Sequence, residues 1–513
     1  MQSNPHCCSC PSRACAGCPD ADPGPSRRTI LTGAAAAASL AAFAPLRAFA
    51  KEPDRQQPMR AALRVQPVLA YDVTQRRVAT SWRNWGGVQT PEQLAGEKER
   101  IGRELAEMRR AADFPLEVRP LEAVETADQA AAVSSRDHDV AVIYGAGGDN
   151  KTIEALTPTG KWSILFVRHR SGPAYVWYEI AHPRYLRKTV DDFGQPGMSP
   201  QDVVVDSHAE VLWRLRGLSG LKNTLGKRIV TVGGPSGWGD GGRNAPERAR
   251  EQFKLEIVDV GYPELAERIK RTRQNDAVVT RARAGAEAYL KQKGVKLETS
   301  KQFVENAFVL TEVFRDLLDE AHTDAITINN CMGTIMPMSE TTACLPLSLL
   351  NDGGYMAFCE SDFVVIPSGI LLHYIAGKPM FLNDPTYPHD GLVTLAHCTG
   401  PRKMDGVHDE PVRILTHFES DYGAAPKVEM AKGRKVTNLI PDFASKKWVG
   451  FEAEIVDAPF YQICRSQIDV QFKADNAKLL EEMKGFHWMT SYGSYLRETG
   501  YALNKAGVGW LAL

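Results

Sequence analysis

Short apolar runs alternating with helical periodicity constrain this chain more than any other feature. Val65 to Tyr71, Asp139 to Tyr144 and Trp162 to Val167 read as buried strands, as do Arg228 to Val232, Leu255 to Val260 and Ala325 to Asn329. Strands buried on both faces are apolar at nearly every position, and parallel pairing needs a helix to cross between them. Helical signals follow the runs. Thr90-Pro91-Glu92-Gln93 is a capping signal with proline in the first turn, and Leu94, Ile101, Leu105 and Met108 follow at helical spacing. Further helices are expected over His208 to Leu221, Pro263 to Arg273 and Phe303 to Ala321. From about residue 380 short alternating strands take over: Val412 to Phe418, Lys427 to Met430, Lys435 to Leu439 and Gly450 to Val456, closed by a helix over Ser491 to Lys505. The expected fold class is α/β, with two Rossmann-like domains over residues 51–224 and 225–378 and a β-rich C-terminal domain over 379–513.

A length of 513 residues suits two or three domains, and 43% hydrophobic with 24% charged residues excludes a disordered or membrane-embedded chain. The net charge of −1 leaves no electrostatic footprint for nucleic acid. It points to a small neutral, polar substrate. Residues 1–50 read as a signal peptide for the twin-arginine translocase. Ser26-Arg27-Arg28-Thr29-Ile30-Leu31 carries the arginine pair, an alanine-rich run extends to Ala44, and Ala48-Phe49-Ala50 fits a cleavage site. The apolar run falls short of the roughly 18–20 residues of a membrane span, so export to the periplasm is expected. That route carries folded proteins, which lets a metal be chosen before export.

The ten cysteines fall into two groups. Cys7, Cys8, Cys10, Cys15 and Cys18 precede the arginine pair and leave with the signal; no role in the mature protein is expected of them. Cys331, Cys344, Cys359, Cys398 and Cys464 remain, an odd number that leaves at least one free thiol. Cys359 and Cys398 adjoin candidate site residues and are expected as packed thiols in the walls of that site.

Those site residues are Glu360, Asp384 and His487. Glu360 ends the apolar run Tyr355-Met356-Ala357-Phe358-Cys359. Asp384 ends Met380-Phe381-Leu382-Asn383 before Pro385, which cannot continue a ladder, and His487 sits in Gly485-Phe486-His487-Trp488 before the last helix. Two carboxylates and an imidazole at strand ends suit a hard divalent cation with open positions for water or substrate. On residue type alone, Glu360 and Asp384 also fit a capping carboxylate and a turn aspartate, and His487 a satisfied core histidine.

The stretch Cys359-Glu360-Ser361-Asp362, a helix to Gly377-Lys378-Pro379 and then Phe381-Leu382-Asn383-Asp384 resembles the metal-binding segment of L-fucose isomerases. Gly485-Phe486-His487-Trp488 is similar to that family's C-terminal ligand loop. Arg64-Val65-Gln66-Pro67-Val68, Ser81-Trp82-Arg83 and Val230-Thr231-Val232-Gly233-Gly234-Pro235-Ser236 resemble its opening strand, its arginine-bearing loop and the turn that starts its second domain. The resemblance implies metal-dependent aldose–ketose isomerisation of a carbohydrate through an enediol. By carry-over, Glu360 and Asp384 are acid/base pair and ligands, and His487 is the third ligand. Oxygen-rich ligation favours Mn²⁺ or Mg²⁺. His397, Arg83, Trp82 and Trp238 are expected at the substrate and Asp362 beside the ligands, in a homo-oligomer. Which sugar is used does not carry over.

No nucleotide cofactor is expected. Gly145-Ala146-Gly147-Gly148 lacks the spacing of a dinucleotide fingerprint and a following helix with a suitably placed acid, and Pro235 removes an amide from the Gly233 to Gly239 loop. Two other readings stay open: a metal-dependent lyase, epimerase or hydrolase acting on an exported glycan, and a non-catalytic sugar-binding protein.

Overall fold

The computed structural model describes residues 60–188, 194–444 and 446–513. The arginine pair, the cleavage site and the first five cysteines therefore lie outside the described residues. The fold is mixed α/β, with parallel-stranded sheets and a C-terminal antiparallel barrel. In the first sheet Leu63–Ala70 lies between Leu116–Val118 and Val140–Gly145, followed by Trp162–Val167 and Val203–Val205, all parallel. Val65, Val68, Leu69, Val140, Val142 and Ile143 are fully or almost fully buried, as strands covered on both faces must be. Thr90 and Gln93 form the expected capping box at the start of helix Pro91–Ala111, and Ile101, Leu105 and Met108 face the core.

The turn after Val140–Gly145 leads into helix Asn150–Leu156, capped by Asp149. The turn itself packs against backbone: a Cβ on Gly147 would lie 2.7 Å from the amide nitrogen of Asp72.

The second sheet runs Met356–Phe358, Ala325–Ile328, Arg228–Val232, Glu256–Val260, also parallel. Helix Ile366–Ala376 follows it and is buried all round except at its last residue, with Gly377 ending it in the left-handed conformation. The helix packs on His208–Thr224, where Gly220 admits Ile375.

The C-terminal strands run Lys435–Ile440, Trp488–Tyr492, Phe381–Pro385, Leu392–His397, Ser466–Phe472, Lys447–Asp457, and Lys435–Ile440 pairs back to Lys447–Asp457. That last pairing closes the barrel and removes its edges. A hairpin of Val412–His417 and Tyr422–Val428 lies outside it and takes Val295–Leu297 as a third strand.

Three local expectations are corrected. The last helix is Leu496–Lys505, and Ser491 belongs to strand Trp488–Tyr492, so a strand follows His487 directly. Its apolar residues pair into the barrel rather than onto a helix. The strand expected at Lys427 begins at Tyr422 and ends at Val428, its start disguised by Gly423 and Pro426. Pro385 does stay in register, opposite Leu395 at the end of its strand.

Candidate functional site

The second parallel sheet and the barrel rim supply the site together. Strand Met356–Phe358 ends at Glu360 and Ser361, which have φ of +65° and +47°. Left-handed backbone at two successive non-glycine residues costs roughly 1–2 kcal/mol each, so the surroundings must impose it. They do so through hydrogen bonds. The Ser361 amide donates to Thr327 Oγ1 at 3.2 Å, and the Ser236 amide to the Ser361 carbonyl at 3.1 Å. Phe363 in turn donates to the Ser236 carbonyl at 3.0 Å. The strained turn is thereby stitched to the loop that begins at Gly233, itself at φ +82° and packed on the Tyr262 ring where a Cβ would not fit.

The barrel brings the other residues. Asn383 pairs with Trp488 and Asp384 with Ala396, so Asp384 stands between the strand that begins after His487 and the strand that ends at His397. His487 Nε2 lies 3.2 Å from Asp384 Oδ1 and 3.5 Å from Glu360 Oε2. His397 Nε2 lies 3.7 Å from Glu360 Oε1. The imidazole side chains are 0–3% exposed, whereas Glu360 and Asp384 are 27% and 31% exposed. The cluster therefore has a closed imidazole floor and an open carboxylate side.

Three atoms identify what the cluster can hold. Asp384 Oδ1, His397 Nε2 and His487 Nε2 are buried and make no hydrogen bond, although they face one another. Buried polar atoms are rarely left without a partner. Ligand atoms of Asp384, His397 and His487 lie within 4.8 Å of one another, as do those of Cys359, Glu360 and His397. Ion–ligand bonds of roughly 2.0–2.6 Å put neighbouring donors at such separations. Glu360, Asp384 and His487 thus converge, and His397 belongs to both compact triples.

Asp362 stands behind His487. It is fully buried, and its Oδ1 accepts from the amides of Val364 at 3.0 Å and Trp238 at 3.3 Å. Its Oδ2 faces His487 Nδ1 at 2.7 Å, which fixes the proton there and leaves Nε2 toward the carboxylates. Thr399 Oγ1 faces His397 Nδ1 at 2.9 Å and can serve as acceptor or donor to it.

The charges divide the two carboxylates. Burial opposes ionisation of Glu360, but the His397 and His487 imidazoles beside it outweigh that and hold its carboxyl well below the usual range. Burial raises Asp384, and nearby Glu360 adds to that against the pull of the two imidazoles. Burial likewise opposes protonation of His487, yet the Asp362 and Glu360 carboxylates win and raise it to about 10.

The residues expected at the substrate separate into two places. Trp238 is 46% exposed, stacks on Phe486 at 4.6 Å and 14°, and turns an edge to His487. With Gly239, Gly242, Val364, Asp442 and Phe443 this pair borders a cavity of about 310 Å³. Arg83 and Trp82 lie on the loop after the first strand, guanidinium over ring at 5.0 Å. They make no hydrogen bond, ion pair or ring contact with the cluster among the described residues. Phe486 and Thr399 were missed by sequence reasoning, though each adjoins or nearly adjoins a candidate histidine in the chain. All five described cysteines are free, Cys359 and Cys398 buried beside the site.

No family model matches this chain, and no curated protein matches it.

Proposed function

We propose that this protein is a metal-dependent aldose–ketose isomerase of the L-fucose isomerase type, exported by the twin-arginine route, with two Rossmann-like domains before its barrel. The observation that supports the reading best is the convergence of orphaned Asp384 Oδ1, His397 Nε2 and His487 Nε2 beside an ionised Glu360. The donor set fits a divalent cation of the manganese or magnesium class, held by Glu360, Asp384 and His487 with His397 in reach. Such an ion supplies Lewis-acid charge to adjacent sugar oxygens.

The chain's own groups then have distinct tasks. Glu360, kept ionised by two imidazoles, holds negative charge at the site and can accept a proton only from a strongly activated carbon. Asp384, with its proton affinity raised by burial, is suited to carry a proton between neighbouring carbons. Trp238 and Phe486 offer an apolar face for the sugar ring beside the reacting end.

The test is a panel of aldoses, ketoses and glycosides incubated with Mn²⁺ in D₂O and followed by NMR. Interconversion of C1 and C2 carbonyls, with deuterium entering the carbon beside the carbonyl, is expected. Glu360→Gln and Asp384→Asn should each slow it by about 10²–10⁴-fold. Glycoside cleavage or loss of water would transfer the site to a hydrolase or lyase, and binding without turnover to a sugar-binding protein.

A further inference from the structure

Next to His397 in the chain, Cys398 opens a second cluster of different chemistry. Its Sγ, that of Cys344 and a ring nitrogen of His417 all lie within 4.8 Å of one another, and Cys464 packs against the same thiols. The four come from separate elements. Cys344 opens helix Cys344–Asp352, Cys398 follows strand Leu392–His397, His417 ends strand Val412–His417, and Cys464 stands just before Ser466–Phe472. Cys344, Cys398 and His417 are only 5%, 3% and 6% exposed.

Two further contacts separate this group from thiols that merely pack together. The backbone amide of Arg465 donates to Cys398 Sγ at 3.4 Å, a bond that favours sulfur carrying negative charge. Ser420 Oγ faces His417 Nδ1 at 3.2 Å, and a proton kept on Nδ1 leaves Nε2 as the lone-pair donor. Three thiols and an imidazole, all buried except the half-buried Cys464, match a thiophilic, tetrahedral cation and not the oxygen-seeking metals expected beside Glu360.

We propose that Cys344, Cys398 and His417, with Cys464 as the fourth donor, bind one structural cation of the zinc type. Each thiol releases its proton to solvent as it binds, and no oxidant or reductant is involved. The ion ties the barrel, the outer hairpin and helix Cys344–Asp352 together, and it anchors the end of the strand that carries His397. This site does not depend on the isomerase reading.

The full chain, isolated under reducing conditions without chelator, is expected to contain one zinc per chain by elemental mass spectrometry. Refolding with Co²⁺ instead should produce thiolate-to-cobalt charge-transfer absorption in the near ultraviolet. Cys344→Ser and Cys398→Ser should each abolish that band, while the Glu360→Gln/His487→Ala double variant should keep it, which separates this site from the carboxylate cluster. Should the serine variants not fold, the parent chain alone decides. Absence of both zinc and the cobalt band, a band that survives both serine variants, or a native disulfide among Cys344, Cys398 and Cys464 would overturn the proposal.

Discussion

Asp362→Asn is the sharpest probe of the carboxylate–histidine cluster, because it changes one proton and almost no volume. Asp362 Oδ1 already accepts two backbone amides, at 3.0 Å from Val364 and 3.3 Å from Trp238. An asparagine keeps its carbonyl oxygen on those donors, so its NH₂ group falls where Oδ2 now stands, 2.7 Å from His487 Nδ1. Two donors cannot face each other there. The ring, which before a cation binds carries a proton on each nitrogen at neutral pH, must give up the one on Nδ1 and keep the one on Nε2, which points at Asp384 Oδ1 3.2 Å away. A protonated Nε2 cannot ligate a cation. Restoring the right tautomer sets N–H against N–H in a buried site, a penalty of about 1–3 kcal/mol. The lost orienting partner by itself typically costs 10–100-fold in metal affinity. Together these place the expected loss near 2 kcal/mol, or roughly 30-fold. Calorimetric titration with Mn²⁺ at neutral pH measures it, and the melting temperature of the chelated variant checks that the turn survives. If Asp362→Asn binds Mn²⁺ within about threefold of the parent, a factor worth only ~0.7 kcal/mol, the tautomer argument is wrong.

Two more outcomes follow from the same residues and from the N-terminus. Because His487 is raised from 6.5 to about 10, its protonation stabilises the metal-free fold fully below about 6.5 and is lost as pH rises through 10. The effect is worth ~5 kcal/mol for so buried a ring. Scanning calorimetry in chelator should therefore show the melting temperature falling between pH 7 and 10, with a flatter profile once Mn²⁺ has displaced that proton; a flat metal-free profile contradicts it. Replacing Arg27 and Arg28 by lysine should leave the precursor in the cytoplasm with residues 1–50 attached, read by fractionation and immunoblot, and normal cleavage of that variant would end the export proposal.

Much of the fold was legible because its signals are local. Burial on two faces shows as a continuous apolar run, so Val65 to Tyr71 and Trp162 to Val167 lie within a residue or two of the strands observed. The capping box of Thr90 and Gln93 needs only four residues in sequence, and the structure contains it unchanged. For Glu360, Asp384 and His487, residue type and strand-end position left a cation-holding set, a capping carboxylate, a turn aspartate and a core histidine all open, and the resemblance to L-fucose isomerases favoured the first. The positions of Gly423 and Pro426 hid a strand, because a residue that weakens a ladder in isolation is tolerated where hairpin pairing and the turn require it.

Tertiary pairing decided what remained. His397 joins the cluster because Asp384 pairs with Ala396, a relation set by register between strands and absent from either segment alone. Asp362 meets His487 across 125 positions of sequence, and its orienting bond exists only after the barrel has docked on the second sheet. Cys344, Cys398, His417 and Cys464 have no spacing that announces a ligand set, yet four separate elements deliver them to one place. Arg83 and Trp82 carry the right chemistry but make no hydrogen bond, ion pair or ring contact with the cluster among the described residues. The physical reason is the same in each case. Local sterics and burial write a strand or helix into a short stretch of sequence, whereas the choice of neighbour rests on long-range contacts whose loop-closure entropy is offset only by the packed whole.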